Sequence, residues 1–353
     1  MAKNRKLFCH PILVVLTDKL IKFKQVIKLK WLTCVFLLSI RLADAAFLDQ
    51  FTGARALGMS GAVSAVANRA DGIIVNPATL LNISSRQLTA TTARLHVGLK
   101  DRSQLVQHVL AYGYSSEDPI REKTRESIGV LLKRLSADAP RRLLYSETLL
   151  VIGGAKEFSW GSAEVGQLEK KLVLGVSAKV LNWDTAPTIG ANETIIQNLP
   201  GRTQLGVDIG GLFRPSPNVP VAFCVQNVNR PDIASRRPSS ENGVSDSTQS
   251  VYLDRIVSIG IGVVGQQTVW DMDLQFRPNE VDVRVGIEYW LTEQKTAVRF
   301  GFRLENLAWG TNLTLGSSYH PTDNFTLDYG FIYPVSGIAE TLGSHRFSIV
   351  YDY

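Results

Sequence analysis

The sequence has no long hydrophobic run. None of its apolar stretches approaches the roughly 20 residues that a membrane-spanning helix needs. Mean hydropathy is close to zero, at +0.03. This excludes a helical membrane protein but not a transmembrane β-barrel, because the strands of a barrel alternate and their hydropathy averages out.

Cysteine and histidine are also scarce, with 3 and 5 residues. Cys9 and Cys34 lie in residues 1–45, which we predict below to be cleaved as a signal peptide. Cys224 then has no intrachain partner, and we interpret it as an inert wall residue. The histidines show no metal-ligand spacing, and the sequence has no G-x-S-x-G, H-E-x-x-H or C-x-x-C motif. We predict no metal, no cofactor and no enzyme; catalytic residues on an outer wall are the alternative, for which no candidate stands out.

Residues 1–45 are typical of a signal peptide. Several lysines precede the apolar residues 31–40, and Ala43-Asp44-Ala45 offers an A-x-A cleavage site before Ala46. An uncleaved amphipathic anchor is the alternative. The first 46 residues hold nine of the 38 Lys and Arg but two of the 32 Asp and Glu, which leaves −1 for the remainder. The basic charge therefore belongs to the signal, and we expect no nucleic-acid partner.

Residues 46–85 are predicted to form a short plug. Residues 53–80 are rich in Gly and Ala and nearly uncharged, with Arg55, Gly58 and Gly61 at their start. Asn76 followed by Pro77 is a helix-start signal, with Asn as the cap. We expect two short helical turns with a kink, too small for a domain and enclosed by the rest of the chain. An ordinary Ala/Gly helix on a soluble core is the alternative.

Residues 86–353 alternate with a period of two, which predicts β-strands. In residues 281–291, for example, Val283, Val285 and Ile287 face one way and Asp282, Arg284 and Glu288 the other. Strands of about ten residues match a tilted bilayer crossing. We predict an all-β fold, a transmembrane antiparallel β-barrel of about 14 strands. The predicted strands are 86–99, 104–114, 125–135, 145–158, 169–183, 201–213, 220–229, 252–265, 268–277, 281–291, 296–306, 311–320, 323–333 and 345–353.

The barrel prediction assigns a set of charged residues to the lumen. On neighbouring strands these should point inward as a paired ladder that holds the plug, because unpaired buried charge is costly. A polar conduit, which would require the plug to move, is the alternative. The predicted lumen charges are Asp273, Arg277, Asp282, Arg284, Glu288, Arg299, Arg303, Glu305 and Asp328.

The glycines at 260, 262 and 265 match G-x-G-x-x-G. A dinucleotide-binding loop must open a helix, whereas residues 268–274 alternate as a strand. We interpret these glycines as places where the barrel wall is thin beside the plug. Residues 230–251 are the best candidate for a partner-facing outer loop, with a solvated mobile loop as the alternative.

Several phrases resemble the FadL-type outer-membrane superfamily, and most closely its PorV/PorQ branch. They include Gly53-Ala54-Arg55, residues 58–62 (GMSGA) and Asn76-Pro77-Ala78. Further matches are residues 175–179, 207–210, 226–228, 285–290, 299–302 and 327–330. The resemblance implies a fourteen-stranded barrel in the outer membrane with the N-terminal segment in the lumen as a hatch. It also implies insertion by the barrel-assembly machinery through a C-terminal strand ending in an aromatic residue, for which Phe347, Tyr351 and Tyr353 are the candidates.

Three functions remain open. The first is a PorV-like partner in protein export or surface assembly, as in type IX secretion, with secreted proteins as partners. The second is a FadL-like transporter of hydrophobic small molecules, which needs an apolar pocket beside the plug and a bulge or gap in the wall. The third is a structural barrel in outer-membrane lipid with a permanently fixed plug.

Overall fold

A computed structural model describes residues 47, 52–99, 103–116, 125–139, 142–160, 170–185, 188–189, 195–197, 202–233, 251–291, 295–305, 310–336 and 341–353. The predicted signal peptide and most of residues 230–251 lie outside these ranges. Within the described residues, no helix is both long and apolar enough to cross a membrane.

Fourteen strands form one closed antiparallel barrel, which confirms the predicted fold class. Each barrel strand pairs with the next barrel strand along the chain, and the first pairs with the last. The strands are β1 Arg86–Leu95, β2 Gln104–Ser115, β3 Glu126–Ala139, β4 Arg142–Trp160, β5 Lys170–Thr185, β8 Arg202–Ser216, β9 Val219–Gln226, β10 Ile256–Val264, β11 Thr268–Arg277, β12 Glu280–Leu291, β13 Thr296–Glu305, β14 Gly310–Thr322, β15 Phe325–Pro334 and β16 Ser344–Asp352. A separate hairpin consists of β6 Thr188–Ile189 and β7 Ile195–Gln197.

The register sorts apolar and polar residues onto opposite faces of the wall. Met272, Val285, Phe302 and Leu313 are consecutive cross-strand partners and all are exposed on the outside. One register position along, the partners are Asp273, Arg284, Arg303 and Asn312, all of them buried. Since side chains alternate along a strand, this register places these apolar side chains of β11–β14 outside and these polar ones inside.

The two ends of the barrel differ in their connections. We call one end of the barrel the turn end. It holds the tight links 217–218, 265–267 and 323–324, and it is the end at which β1 begins and β16 ends. The opposite, loop end holds the links that span 186–201 and 227–255. Two turn-end links, between β2 and β3 and between β4 and β5, are longer than the short turns expected there.

Residues 52–83, which we call the inner segment, are buried and contact strands on all sides of the barrel. They form helix α1 (Ala54–Gly58) and two 3-10 helices, Ala70–Ile74 and Pro77–Asn82. The chain therefore makes three short helical turns instead of the predicted two. As predicted, Asn76 caps the last of them: its side chain accepts a hydrogen bond from Ala78 N at 3.1 Å.

Ten wall glycines leave the space that the inner segment occupies. A Cβ atom at any of them would collide with inner-segment atoms; at Gly286, for example, it would lie 2.6 Å from the carbonyl oxygen of Met59. Both Gly260 and Gly262, from the G-x-G-x-x-G match, belong to this set because they face Ser64 and Val66. We call this set the glycine ring; it consists of Gly113, Gly129, Gly175, Gly210, Gly260, Gly262, Gly286, Gly301, Gly316 and Gly330.

Other details differ from the sequence prediction. The strand predicted from residue 252 begins at Ile256, and Tyr252 instead makes an isolated bridge with Asp232. The last strand exposes Phe347, Tyr351 and Tyr353 on the outside of the barrel, with the rings of Tyr351 and Tyr353 stacked at 5.6 Å. Their role in insertion remains a prediction.

The adjacent glycines of β8 provide a test of how tightly the inner segment fits. A methyl group at Gly210 would lie 2.9 Å from Pro77 Cδ, whereas at Gly211 the nearest atom is 3.8 Å away. We expect Gly210→Ala to lower the free energy of unfolding by about 1–3 kcal/mol through overpacking. Gly211→Ala should leave it nearly unchanged. Urea unfolding in lipid vesicles measures both, and equal effects of the two changes would contradict the tight fit.

Candidate functional site

Three of the cavities formed by the described residues follow one another from the turn end toward the loop end of the barrel. The largest, about 1000 Å³, is at the turn end, and we call it the vestibule; its walls include Leu81, Ile83, Pro217 and Trp290. The middle cavity, about 20 Å³, is lined by the inner segment alone, among residues 52–75, and has room for one water molecule. Arg55 and Asn68 line both the vestibule and this middle cavity, and so form the boundary between them.

The third cavity, about 40 Å³, lies toward the loop end, and we call it the loop-side pocket. Its apolar walls come from Phe47, Ile74, Leu149, Leu181, Leu253 and Ile256. Its polar walls come from Lys133, Lys179, Gln226 and Asn227. Ile74 lines this pocket, and the next residue, Val75, lines the middle cavity. The inner segment therefore lies between this pocket and the vestibule.

A buried ion network fixes one side of the inner segment. Arg55 makes a bidentate pair with Glu288, with Nε–Oε2 and Nη2–Oε1 distances of 2.9 and 3.0 Å. Arg299 donates to the same carboxylate and continues to Asp328 at 3.2 Å. Arg69 of the inner segment also reaches Asp328, at 3.7 Å. Two inner-segment cations are thus held by two wall carboxylates.

Asp271 and Asp273 of β11 hold the inner segment by its backbone. Asp273 Oδ2 accepts from the N–H groups of Val63 and Ser64 at 3.1 Å, and Asp271 Oδ2 accepts from Ala65 N at 3.1 Å. The hydroxyl of Ser64 also hydrogen-bonds Asp273. Asp273 was predicted as part of a ladder of ion pairs, but its observed hydrogen-bond partners on the inner segment are uncharged.

A further group of charges lies nearer the loop end of the lumen. Asp282 accepts from Arg303 at 2.9 Å and lies 3.4 Å from Arg284 and 3.9 Å from Arg277. Glu305 pairs with Arg303 at 3.0 Å, but its side chain is 42% exposed because β13 ends there. Glu305 therefore belongs to the rim of the barrel and not to the enclosed charges predicted from the sequence.

Within the inner segment, Asp71 is buried beside Thr52. The Thr52 hydroxyl donates to Asp71 Oδ2 at 3.2 Å. Burial raises the pKa of Asp71 above its usual value, although the charge of Arg69 and the Thr52 hydrogen bond act in the opposite direction. This carboxyl lines the middle cavity together with Arg55 and Arg69.

The opposite side of the inner segment meets the wall through apolar contacts. Ile73, Ile74 and Leu80 belong to a buried cluster with wall residues of β2–β5. The cluster extends toward the loop end to Ile233 and Leu253, which flank the undescribed part of residues 230–251. The indole N–H of Trp183 donates to Ile233 O at 3.0 Å, which fastens Ile233 to β5 at this end of the barrel.

The wall is irregular beside the loop-side pocket. Regular pairing of β8 with β9 ends at Ile209–Val225. Beyond it, Asn227 has a positive φ of 54°, and Asn229 replaces the strand by bonding Val207 N and Leu205 O at 3.1 and 2.8 Å. The pocket residues Gln226 and Asn227 lie at this notch.

Several buried charges on β3–β8 were not predicted. Lys179 lies 2.7 Å from Asp208, and Lys133, Glu147 and Glu157 are also buried. They occupy the inward positions of their strands, as the lumen charges of β11–β15 do. Along residues 126–185 the alternation is less regular, as at Lys133 beside Arg134, so the sequence pattern alone does not show which charges point inward.

The predicted plug residues lie within the inner segment. Gly58 Cα would lie 3.0 Å from a Cβ atom at Gly316 of β14. Gly61 has a φ of 77°, in the left-handed region that glycine tolerates. The amide of Asn76 donates to Ser64 O at 3.0 Å, and Asn76 with Pro77 fills the space in front of Gly210.

Solved structures share this architecture. A monoaromatic hydrocarbon channel, CymD, superposes with a TM-score of 0.55 at 13% identity, covering 87% of this chain and 99% of that one. The Ralstonia pickettii toluene transporter TbuX gives 0.51 at 13% identity, with coverages of 87% and 99%. A Pseudomonas aeruginosa FadL homologue gives 0.54 at 10% identity, with coverages of 85% and 98%. The chain has the FadL-type barrel fold.

No family model and no curated protein matches the chain by sequence. At these identities the likeness concerns the FadL-type fold alone. The structural likeness does not show a closer relation to the PorV/PorQ branch, which the sequence phrases resemble most.

The pairing of Arg55 with Glu288 predicts a large stability effect. Glu288→Ala removes the carboxylate shared by two buried arginines, and breaking a buried pair in this way costs about 3–5 kcal/mol. Glu280→Ala is the control: Glu280 pairs with Arg277 at 3.6 Å but is 45% exposed, and the expected cost is below about 1 kcal/mol. Urea unfolding in lipid vesicles compares them, and a loss at Glu288 no larger than at Glu280 would refute the anchoring role.

Proposed function

We propose that this protein passes small hydrophobic molecules across the outer membrane, with the inner segment acting as a hatch. The observation that carries the proposal is the loop-side pocket, whose apolar walls lie on one side of the inner segment while the vestibule lies on the other. Ligand pockets are mostly apolar with a few placed polar groups, as this one is. The toluene and monoaromatic hydrocarbon transporters of the same fold support this ligand class.

The contacts of the inner segment suggest how a hatch could open. Its polar half is held by the carboxylates of Glu288, Asp328 and Asp273, whose hydrogen bonds depend strongly on distance and angle. Its apolar half packs on β2–β5, where contacts are non-directional. In this proposal the polar half stays in place and the apolar half shifts.

The pocket must also expand to accept a ligand. At about 40 Å³ it has little more room than one or two water molecules need. Phe47 is only partly buried, so its side chain is the one that we propose to move. The notch between β8 and β9 at the same height provides the wall irregularity that this function requires.

Entry into the vestibule is then limited by the boundary at Arg55 and Asn68. The middle cavity, at about 20 Å³, has room for only one water molecule, so it is the narrowest part of the series. The glycine ring closes the alternative path between the inner segment and the wall, because that space is already filled. We therefore propose an axial route through the inner segment.

Export of proteins in the PorV manner is not supported by the structural neighbours, which are small-molecule channels and transporters or barrels of the FadL type. A permanently fixed plug would appear in the following experiment as uptake no faster than the background.

Uptake measurements test both function and route. Radiolabelled toluene should enter Gram-negative cells that express the protein faster than cells that lack it. Asn68→Trp should return uptake to the background, because Asn68 is exposed and its larger replacement would fill the boundary of the middle cavity. Ser84→Trp adds similar bulk in the wide vestibule and should retain uptake.

Uptake by the wild type no faster than the background would overturn the function. If the wild type transports toluene and Asn68→Trp does so equally well, the function stands and the axial route is wrong. Heat-modified migration on gels verifies that each variant forms a folded barrel.

A further inference from the structure

The outer face of the wall carries a cluster of basic residues near the loop end. His345 of β16 is the cross-strand partner of Arg94 of β1, and His108 of β2 is the partner of Arg134 of β3. Arg94 pairs with Val106, two residues from His108, so the two pairs are diagonal neighbours about 7–8 Å apart. Four basic residues thus adjoin on four consecutive strands.

These side chains point away from the lumen. Arg94, His108 and Arg134 are exposed, whereas the residues next to them in the chain, such as Ala93 and Val109, are buried. In the part of the chain that the structure describes, no hydrogen bond or ion pair engages Arg94, His108 or Arg134. Asp138, on the same face of β3, is four residues away from Arg134 and accepts from Ser136 at 3.2 Å.

Such an arrangement is unfavourable without a counterion. Arginine on the lipid-facing side of a barrel costs about 2–4 kcal/mol at the membrane centre and falls to about 0–1 near the interfaces. The cluster is therefore expected at a headgroup region, where an anion can neutralise it.

The apolar band is short on this side of the barrel. On β3 the outward apolar residues are Ile128, Val130 and Leu132, bounded by Glu126 and Arg134. On β12 the outward apolar positions extend from Val281 to Leu291. Headgroups must therefore reach further down the wall beside β3 than beside β12.

Aromatic side chains border the cluster. The hydroxyl of Tyr329 is 2.7 Å from His345 Nδ1, and the Phe331 ring lies 4.9 Å from the His345 ring. Phe347 is exposed on the next outward position of β16. The two arginines, with these aromatic rings at the edge of the cluster, match a ligand with an anionic head and an apolar body.

We infer that Arg94, His108, Arg134 and His345 form a binding site for a phosphorylated lipid headgroup in the leaflet at the loop end. Arginine suits this chemistry because its planar guanidinium can hold two phosphate oxygens at once. The site lies on the outer wall and is independent of the cavities and of the proposed transport.

Binding to lipid A in mixed micelles, measured by native mass spectrometry of the full mature chain, tests the inference. Replacing both Arg94 and Arg134 with Gln should weaken binding about 30-fold, which is about 2 kcal/mol at 1.4 kcal/mol per tenfold change. The matched control, Arg86→Gln with Lys156→Gln, removes two outward cations at the turn end and should bind like the wild type. Arg94→Lys with Arg134→Lys should retain part of the affinity.

Two ligand controls identify what is recognised. Lipid A without its phosphates should bind no better to the wild type than to the Gln variant. Inorganic phosphate at equal concentration should not displace lipid A, and full displacement would assign the site to free phosphate and overturn a lipid site. Equal lipid A binding by the wild type and the Arg94/Arg134 Gln variant, both verified as folded barrels, would also overturn it.

Discussion

The shared carboxylate of Glu288 is the interaction on which the interior depends. It lies on β12, accepts from Arg55 of the inner segment and Arg299 of β13, and is only 1% exposed. A buried ion of either sign is stable only when it is paired and hydrogen-bonded. The wall therefore supplies carboxylates and the inner segment supplies arginines, so the lumen can be filled while its buried charges remain paired.

The glycine ring and the ion network act together. The glycines allow backbone atoms of the inner segment to approach the wall closely, as Met59 O approaches Gly286. At that distance wall carboxylates such as Asp273 reach main-chain N–H groups of the segment directly. A bulkier wall would hold the segment away from these carboxylates and would leave buried donors and acceptors unsatisfied.

The barrel could be predicted because its signal is local. Strand alternation at Val285 or Phe302 reports a face of the sheet, and each strand carries that signal independently. The inward direction of Asp282, Arg284 and Glu288 followed from the same period. The partners of those charges could not be predicted, because Arg55 and Glu288 are 233 residues apart and their meeting depends on how the segment is seated. For the same reason Asp273 appeared to be a ladder charge, although it binds backbone N–H groups.

Where the alternation weakens, prediction of individual positions weakened with it. The buried Lys133 and Lys179 lie on long strands whose ends mix polar and apolar residues, and the loop-side pocket is assembled from β3, β4, β5 and segments that flank residues 234–250. A pocket of this kind has no sequence motif, because each wall residue is an ordinary inward position and only closure of the cylinder brings them together. The outer basic cluster is similar: Arg94, His108 and Arg134 each look like an isolated surface charge in the sequence. Only their register on neighbouring strands places the three residues side by side, in the surface that we propose binds a phosphorylated headgroup.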